Sequence, residues 1–276
     1  MLRATLEWRV AYRPDSLAWS DVASEAATGK LFVSPHPDRE GRPVVVMRPR
    51  HENTRDREGQ LRLLVYVLEA ASRRADAAVA REVAAAAKAA GTTAASAAPA
   101  AAAAEASADV PAAPGGGPDG KLSIFIDFDG YSLFNAPPPR TALATLHILQ
   151  GHYPERLGRS VLWRAPPLFS ASYRALGPLI DPVTRAKLAF AARAEEVAAF
   201  FDPATVEACC GGLLEAPLFE RGAYGAAMER EAQQAAAALA VAAAAALATS
   251  GPPPAPLSES EASAASLVAL AASVPA

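Results

Sequence analysis

The chain alternates short, mostly apolar runs with longer amphipathic segments, a pattern typical of α/β proteins. Runs of four to seven residues rich in Val, Ile, Leu and Phe predict β-strands, most of them buried on both faces. The predicted strands are Lys30–Val33, Val44–Met47, Leu122–Phe128, Ser160–Arg164 and Lys187–Ala191. Because helical segments separate most of these runs, we expect right-handed crossovers and a mostly parallel sheet.

The helical segments show apolar residues three and four positions apart. Residues 5–12 predict a helix that ends before Pro14, and Asn53 or Thr54 is expected to cap the next one. That helix has a continuous apolar face made of Leu61, Leu64, Val65 and Leu68. Further helices are predicted over Thr141–Gln150 and Phe169–Leu176. In the first of these we expect Leu143, Leu146 and Leu149 to point inward.

Two segments are too poor in large apolar residues to build a packed core. Residues 84–118 are mostly Ala, Pro, Gly and Ser, and we interpret them as a low-complexity insertion. Residues 216–276 predict an Ala-rich helix followed by a disordered Ala/Pro/Ser tail. The economical interpretation is one domain over residues 15–215, interrupted by the insertion.

Charge and cysteine content exclude several classes of protein. The 26 basic and 29 acidic residues give a net charge of −3, which argues against a nucleic-acid-binding surface. Cys209 and Cys210 are adjacent, so they imply no disulfide framework and favour a reducing compartment. The first residues lack an apolar signal core, since they include Arg3 and Glu7. The 14 residues of Ala235–Ala248 fall short of the roughly 20 needed to span a membrane.

A Glu and a Lys stand out in the second half of the chain. Glu155 lies in the segment His152–Gly158, and Lys187 follows 32 positions later, after one predicted strand and one predicted helix. That spacing can return the chain to the same end of a parallel sheet, so the two side chains can share one site. A charged pair beside an apolar cavity is costly unless it is paired or bound to a polar group. The alternative is that Glu155 pairs with its neighbour Arg156 and that Lys187 begins an exposed edge strand.

These segments belong to a set of motifs that occur in the same order in a known family. The others are Gly41-Arg42-Pro43-Val44, Asn53-Thr54, Leu64-Val65-Tyr66 with Glu69, and Ile126-Asp127-Phe128-Asp129-Gly130. Together they cover residues 5 to about 190 and resemble the CRAL-TRIO lipid-binding domains of the phosphatidylinositol transfer type. The resemblance implies an α/β fold whose mostly parallel sheet is covered by helices around an apolar lipid pocket. The family's N-terminal helical subdomain would then be largely missing, with residues 1–14 as its remnant.

The resemblance also implies roles for particular residues. Lys187 would neutralise the lipid phosphate, Glu155 would accept hydrogen bonds from inositol hydroxyls, and Thr184 matches another polar position near the headgroup. A mobile gate helix would include Phe169, Tyr173, Leu176, Gly177 and Pro178. Leu68, Val79, Leu122 and Ile124 are aliphatic where choline-lipid members have polar residues, so a choline-lipid site is not expected.

We therefore expect a protein that binds one phospholipid, most plausibly phosphatidylinositol, and transfers or presents it between membranes. It would be cytoplasmic and transiently associated with a membrane surface, with the lipid as its ligand and no other cofactor or metal. Two alternatives remain open. The pocket can carry another hydrophobic molecule, such as a tocopherol, a retinoid or a sterol-like ligand. It can also be degenerate, leaving a module that acts through protein contacts.

A remote enzymatic alternative rests on Asp127 and Asp129. Their Asp-x-Asp-Gly pattern matches the opening of haloacid-dehalogenase-type phosphohydrolases, in which the first Asp attacks phosphorus and the second acts as acid and base. The later acidic pair that holds Mg²⁺ in such enzymes is not found between Gly130 and Phe201 in a suitable loop. We therefore expect no catalytic activity and assign both Asp residues to hydrogen bonds in the loop after the strand.

Overall fold

Five strands form one sheet in the computed structural model, which describes residues 2–89, 119–132, 138–167 and 185–249. They are β1 (Leu31–Val33), β2 (Val44–Met47), β3 (Leu122–Asp127), β4 (Leu157–Trp163) and β5 (Leu188–Ala191), and they neighbour one another in that order. β1 is antiparallel to β2, and every other neighbouring pair is parallel. The α/β fold with a mostly parallel sheet is therefore confirmed.

The helices predicted over residues 5–12, after Thr54, over Thr141–Gln150 and in the Ala-rich segment after residue 216 are present. The helices are α1 (Leu2–Tyr12), α2 (Trp19–Val22), α3 (Arg57–Ala89), α4 (Pro139–His152), α5 (Ala194–Ala198) and α6 (Arg221–Thr249). The predicted cap of α3 is wrong, because Asp56 accepts the hydrogen bond from the backbone N–H of Glu58. Thr54 instead donates its hydroxyl to Glu25, 2.6 Å away. The predicted helix over Phe169–Leu176 lies outside the described residues.

Helix α3 is the central helix of the core. It packs against β1, β2 and β3 and also against α2 and α4, so it is covered on more than one side. Six consecutive residues, Leu63–Leu68, are buried as a result. A surface helix would bury one stripe only. The all-round apolar middle of α3 therefore fits its position between the sheet and the neighbouring helices.

Helix α4 differs from its prediction in the face that it buries. Leu143 and Leu146 are 68% and 48% exposed, so the expectation that both point inward is wrong. The buried positions are Thr141 and Ile148, which are seven residues apart, and Leu149 packs at their flank. Helix α4 contacts α1 and α3. The face that carries Thr141 and Ile148 is buried, whereas the face that carries Leu143 and Leu146 is open to solvent.

The chain after β5 covers one face of the sheet. Phe32, Phe125 and Trp163 lie on that face, since side chains alternate along each strand and the paired registers align them. Phe125 makes an edge contact with Phe201 at 5.6 Å, and the ring of Phe219 lies 5.3 Å from that of Phe32. The indole N–H of Trp163 donates to the carbonyl of Cys209. Residues 200–219 thus form a lid of apolar and backbone contacts over this face.

Helix α1 is held in place by a buried carboxylate on α3. Arg9 donates to both oxygens of Glu69 at 2.9 Å, and the hydroxyl of Tyr153 donates to the same carboxylate at 2.8 Å. Trp8 stacks on His152 with ring centroids 4.2 Å apart. The helix predicted over residues 5–12 is therefore present and joins the core.

Two compact units are distinguished along the chain, residues 1–238 and residues 239–276. The first part of α6 belongs to the first unit, where Tyr224 and Met228 are buried. Helix α3 continues to Ala89, so the first residues of the predicted insertion are helical. The assignment of residues 1–14, 15–215 and 216–276 to separate structural roles stays a prediction.

Candidate functional site

The structure brings Glu155 and Lys187 together. The Lys187 ammonium nitrogen lies 3.8 Å from a carboxylate oxygen of Glu155. Glu155 is in the turn between α4 and β4, and Lys187 immediately precedes β5. Because β4 and β5 are parallel neighbours, their amino ends lie at the same edge of the sheet. The predicted proximity of the two residues is therefore confirmed, whereas their role stays a prediction.

The backbone fixes both residues at this edge. The carbonyl of Lys187 accepts a 2.7 Å hydrogen bond from the N–H of Ser160, which begins the pairing of β4 with β5. Glu155 has a φ of 59°, in the left-handed region that non-glycine residues rarely adopt. That conformation turns the chain between Pro154 and Arg156 and directs the segment into β4.

Arg156 is not the partner of Glu155. Its guanidinium binds the carboxylate of Asp76 on α3 at 2.5 and 3.0 Å and also donates to the carbonyl of Gly120. The alternative in which Glu155 pairs with Arg156 is therefore wrong. Because the Arg156 guanidinium binds Asp76 on α3 and the carbonyl of Gly120, it does not bind Glu155. The Glu155 carboxylate lies near Lys187 instead.

The exposure of the two side chains differs and decides what the pair can do. The Lys187 side chain is 21% exposed, whereas that of Glu155 is 89% exposed. An ion pair with one solvated partner contributes only about 0–1 kcal/mol. A phosphate can therefore replace the Glu155 carboxylate beside the ammonium at little cost, and Glu155 remains free to accept hydrogen bonds from hydroxyl groups.

The other predicted site residues lie outside the described part of the chain. This holds for Thr184 at the headgroup and for the gate residues Phe169, Tyr173, Leu176, Gly177 and Pro178. Their roles stay predictions.

An apolar strip lies on the sheet face opposite to Phe125. Ile126, Leu162 and Phe190 are paired across β3, β4 and β5 and so share this face. Leu162 is buried, Ile126 is half-buried and Phe190 is exposed, so the β5 end of the strip is its most accessible part. The aliphatic residues Leu68, Leu122 and Ile124 are buried as well. The strip itself therefore offers hydrocarbon, whereas the buried Ser160, which is paired with Ile124, places a hydroxyl on the same face.

Asp127 and Asp129 are engaged in local hydrogen bonds. One oxygen of Asp127 accepts from the N–H of Asp129 at 3.0 Å, and the other pairs with Arg50 at 2.6 Å. Asp129 pairs with Arg164 at 3.0 Å. A phosphohydrolase nucleophile needs a carboxylate that can approach phosphorus. Asp127 is fully buried and bound on both oxygens, as the loop assignment predicts.

A buried ionic cluster at the carboxyl ends of β2 and β3 was not predicted. Arg48 forms a close ion pair with Glu207, and Arg50 pairs with Asp127. Cys210 lies 3.4 Å from the second oxygen of Asp127, and burial, reinforced by the Asp127 charge, raises the pKa of its thiol. Part of this cluster could be inferred from the sequence, because Arg48-Pro49-Arg50 follows one predicted strand and Asp127 lies at the end of the next. The position of Glu207 could not be inferred, because Glu207 reaches the cluster from the lid segment.

A small cavity adjoins this cluster. Its lining includes Val46, Phe125, Phe201, Glu207 and Cys210, and it encloses about 30 Å³. That volume suits a water molecule or an ion but not an acyl chain. Binding of an acyl chain would therefore require a space other than this cavity.

The fold agrees with the comparison to known families. The profile of the CRAL/TRIO domain matches residues 27–212, which include all five strands of the sheet. The chain belongs to the CRAL/TRIO family, a family of lipid-binding and lipid-transfer domains whose members are generally carriers and not enzymes.

Several curated proteins are similar over this region. The phosphatidylinositol transfer protein PDR17 of Saccharomyces cerevisiae is 27% identical over 206 residues, which cover 73% of this chain and 46% of that protein. A CRAL-TRIO domain-containing protein of Schizosaccharomyces pombe is 27% identical over 186 residues, 67% of this chain and 14% of that protein. The chain thus spans less than half of the length of these relatives.

The crystal structure of Sfh5 has the same fold. It superposes with a TM-score of 0.50 at 14% identity and covers 79% of this chain and 72% of that chain. Among the helices that the structure describes, none is long and apolar enough to cross a membrane.

Proposed function

We propose that this domain binds a single phospholipid, with phosphatidylinositol as the favoured headgroup, and exchanges it with membranes. The observation that carries the proposal is the meeting of Lys187 and Glu155 at the amino edge of β4 and β5, 3.8 Å apart. The family supports a lipid ligand, and the name of PDR17 supports an inositol lipid.

The chemistry of the pair suits an inositol phospholipid. Lys187 supplies one positive charge for the phosphodiester, and its low exposure strengthens that interaction relative to a solvated lysine. Glu155 supplies two acceptor oxygens for ring hydroxyls. A headgroup bound here would have its acyl chains near the apolar strip formed by Ile126, Leu162 and Phe190.

The energetics favour exchange over permanent capture. Two acyl chains with roughly 30 methylenes carry about 24 kcal/mol of transfer free energy, at about 0.8 kcal/mol for each CH₂. A bilayer gives the acyl chains the same apolar environment, so the pocket only has to equal the transfer free energy that the membrane already provides. Selectivity then depends on a few polar contacts, and this is why the proposal assigns it to Lys187 and Glu155.

A vesicle transfer assay with two lysine variants tests the proposal. Donor vesicles contain labelled phosphatidylinositol or labelled phosphatidylcholine, and the rates into unlabelled acceptors are compared. Lys187→Ala is expected to lower inositol-lipid transfer about tenfold, the lower end of the loss for a hydrogen bond to a charged group. The melting temperature should stay close to that of the unmodified protein.

Lys121→Ala is the matched control. Lys121 immediately precedes β3 as Lys187 precedes β5, and it pairs with Asp119 at 3.2 Å. It should leave transfer unchanged. Equal transfer by the two variants, or retained preference for the inositol lipid in Lys187→Ala, would refute the headgroup assignment. Transfer of neither lipid by the unmodified protein would refute phospholipid exchange itself.

A further inference from the structure

The two cysteines of the chain lie in the lid segment, close to the carboxylates of Glu207 and Asp127. Cys209 and Cys210 lie in a short 3₁₀ turn, Ala208–Cys210, and their sulfur atoms are 3.7 Å apart. The Cys209 sulfur is also 3.7 Å from an oxygen of Glu207, and the Cys210 sulfur is 3.4 Å from an oxygen of Asp127. The ligand atoms of Glu207, Cys209 and Cys210 all lie within 4.8 Å of one another.

These separations match the edges of a tetrahedral metal site. Zinc binds thiolate sulfur at about 2.3 Å and carboxylate oxygen at about 2.0–2.2 Å, which places two sulfurs about 3.8 Å apart and a sulfur and an oxygen about 3.5 Å apart. The observed 3.7 Å between sulfurs and 3.7 Å between Cys209 and Glu207 agree with both values. Two of the three edges therefore fit a tetrahedral site, and the third, between Glu207 and Cys210, is within 4.8 Å.

The charges of the cluster accommodate a divalent cation. Arg48 and Arg50 balance Glu207 and Asp127, so the cluster is neutral with both thiols protonated. When M²⁺ binds two thiolates, two protons leave and the total charge is unchanged. The two guanidinium groups therefore do not oppose binding by adding net positive charge to a buried site.

Access and space are also present. Cys209 is exposed, whereas Cys210 is buried, so an ion can enter from solvent at the Cys209 side. Glu207 and Cys210 line the cavity of about 30 Å³, which leaves room for a water molecule as a further ligand.

We propose that Cys209, Cys210 and Glu207 form a binding site for a thiophilic divalent cation, with Zn²⁺ as the representative ion, and that Asp127 or water completes the coordination. The site links the lid segment to the carboxyl end of β3. Its role is structural, because it lies on the sheet face opposite to the apolar strip and apart from Lys187 and Glu155.

Zinc titration of the purified, reduced chain tests the site. One Zn²⁺ should bind for each chain, measured by competition with a chromogenic chelator, and both thiols should become resistant to a thiol reagent. The melting temperature should rise with Zn²⁺ concentration. Cys209→Ser, a conservative change at an exposed position, should weaken binding at least about tenfold, since loss of even an outer-shell partner has an effect of that size.

Glu215→Gln is the control, because Glu215 is an exposed carboxylate in the same lid segment. It should bind Zn²⁺ like the unmodified chain. Cys210→Ala supplies a second test if Cys209→Ser proves unstable. Zinc binding that survives both cysteine substitutions, or thiols that stay reactive in saturating Zn²⁺, would overturn the proposal. Normal zinc binding together with a failure of lipid transfer would leave this site standing while rejecting the proposed function.

Discussion

At the residue scale, the Glu69 carboxylate determines how α1 is attached. Arg9 and Tyr153 both donate to it, and burial raises the pKa of the Tyr153 phenol, so this hydroxyl stays protonated and remains a donor where an ordinary tyrosine would ionise. Tyr153→Phe should lower the free energy of unfolding by about 1.5 kcal/mol, because the buried bond to a charged group is lost while Arg9 still satisfies Glu69.

Chemical denaturation measures this change, and Tyr12→Phe is the control. Tyr12 lies at the end of α1, stacked on Trp8, but is 37% exposed, so its change should stay within about 0.5 kcal/mol. Similar losses in the two variants would show that the Tyr153 hydroxyl has no special role.

The site residues show how far sequence reasoning reaches at this scale. The meeting of Glu155 and Lys187 was predictable, because parallel strands bring the residues before them to one edge. The Arg48–Glu207 pair was not, because it depends on where a long irregular segment after β5 folds back. The alternative that paired Glu155 with Arg156 could not be rejected from the sequence either, since the partner of Arg156, Asp76, is 80 positions away on α3.

At the element scale, α4 provides a test of which helix face is structural. Ile148→Ala should destabilise the protein by about 2–4 kcal/mol through lost burial and the cavity left behind. Leu143→Ala removes an isomeric side chain of the same size from an exposed position and should change stability by less than about 0.5 kcal/mol. The reverse order, measured by thermal or chemical unfolding, would mean that the leucine face is covered in solution.

The hydrogen-bonded carboxylate of Glu196 in α5 predicts that the stability of the protein depends on pH. Hydrogen bonds from the backbone of Ala192, from the Arg193 side chain and from the Arg193 backbone lower the pKa of Glu196 to about 2 from 4.5. A carboxyl with a lowered pKa contributes stability that is present above its unfolded pKa and is lost as the pH falls through its folded pKa.

The gap in melting temperature between the unmodified protein and Glu196→Gln should therefore be largest above pH 4.5 and shrink toward pH 2. Glu195→Gln is the control, since Glu195 is exposed on the same helix. A gap that does not change with pH would show that the Glu196 charge does not stabilise the start of α5.

The strands were more predictable than the helix faces for a physical reason. A run such as Val44–Met47 is apolar on both faces, so only a buried central strand can satisfy it. In α4, by contrast, Leu143, Leu146 and Ile148 are all apolar, and the choice between faces is made by α1 and α3. Periodicity within one helix does not contain that information.

At the scale of the whole molecule, one side of the sheet is closed by the lid segment and the other carries the apolar strip. The lid side contains the small cavity and the buried ionic cluster. The strip side is most exposed at Phe190 on β5, and Lys187 and Glu155 lie at the amino edge of β4 and β5. This asymmetry is what the proposed division between a structural face and a ligand-binding face requires.

Native mass spectrometry of the purified chain, followed by extraction and identification of any bound molecule, tests the central claim most directly. The proposal predicts one inositol phospholipid for each folded chain, and a lower occupancy by that lipid in Lys187→Ala than in Lys121→Ala. A different hydrophobic molecule at the same stoichiometry would keep lipid binding but contradict the headgroup assignment. A folded chain that carries no hydrophobic molecule, and takes up none from vesicles, would contradict the proposed function.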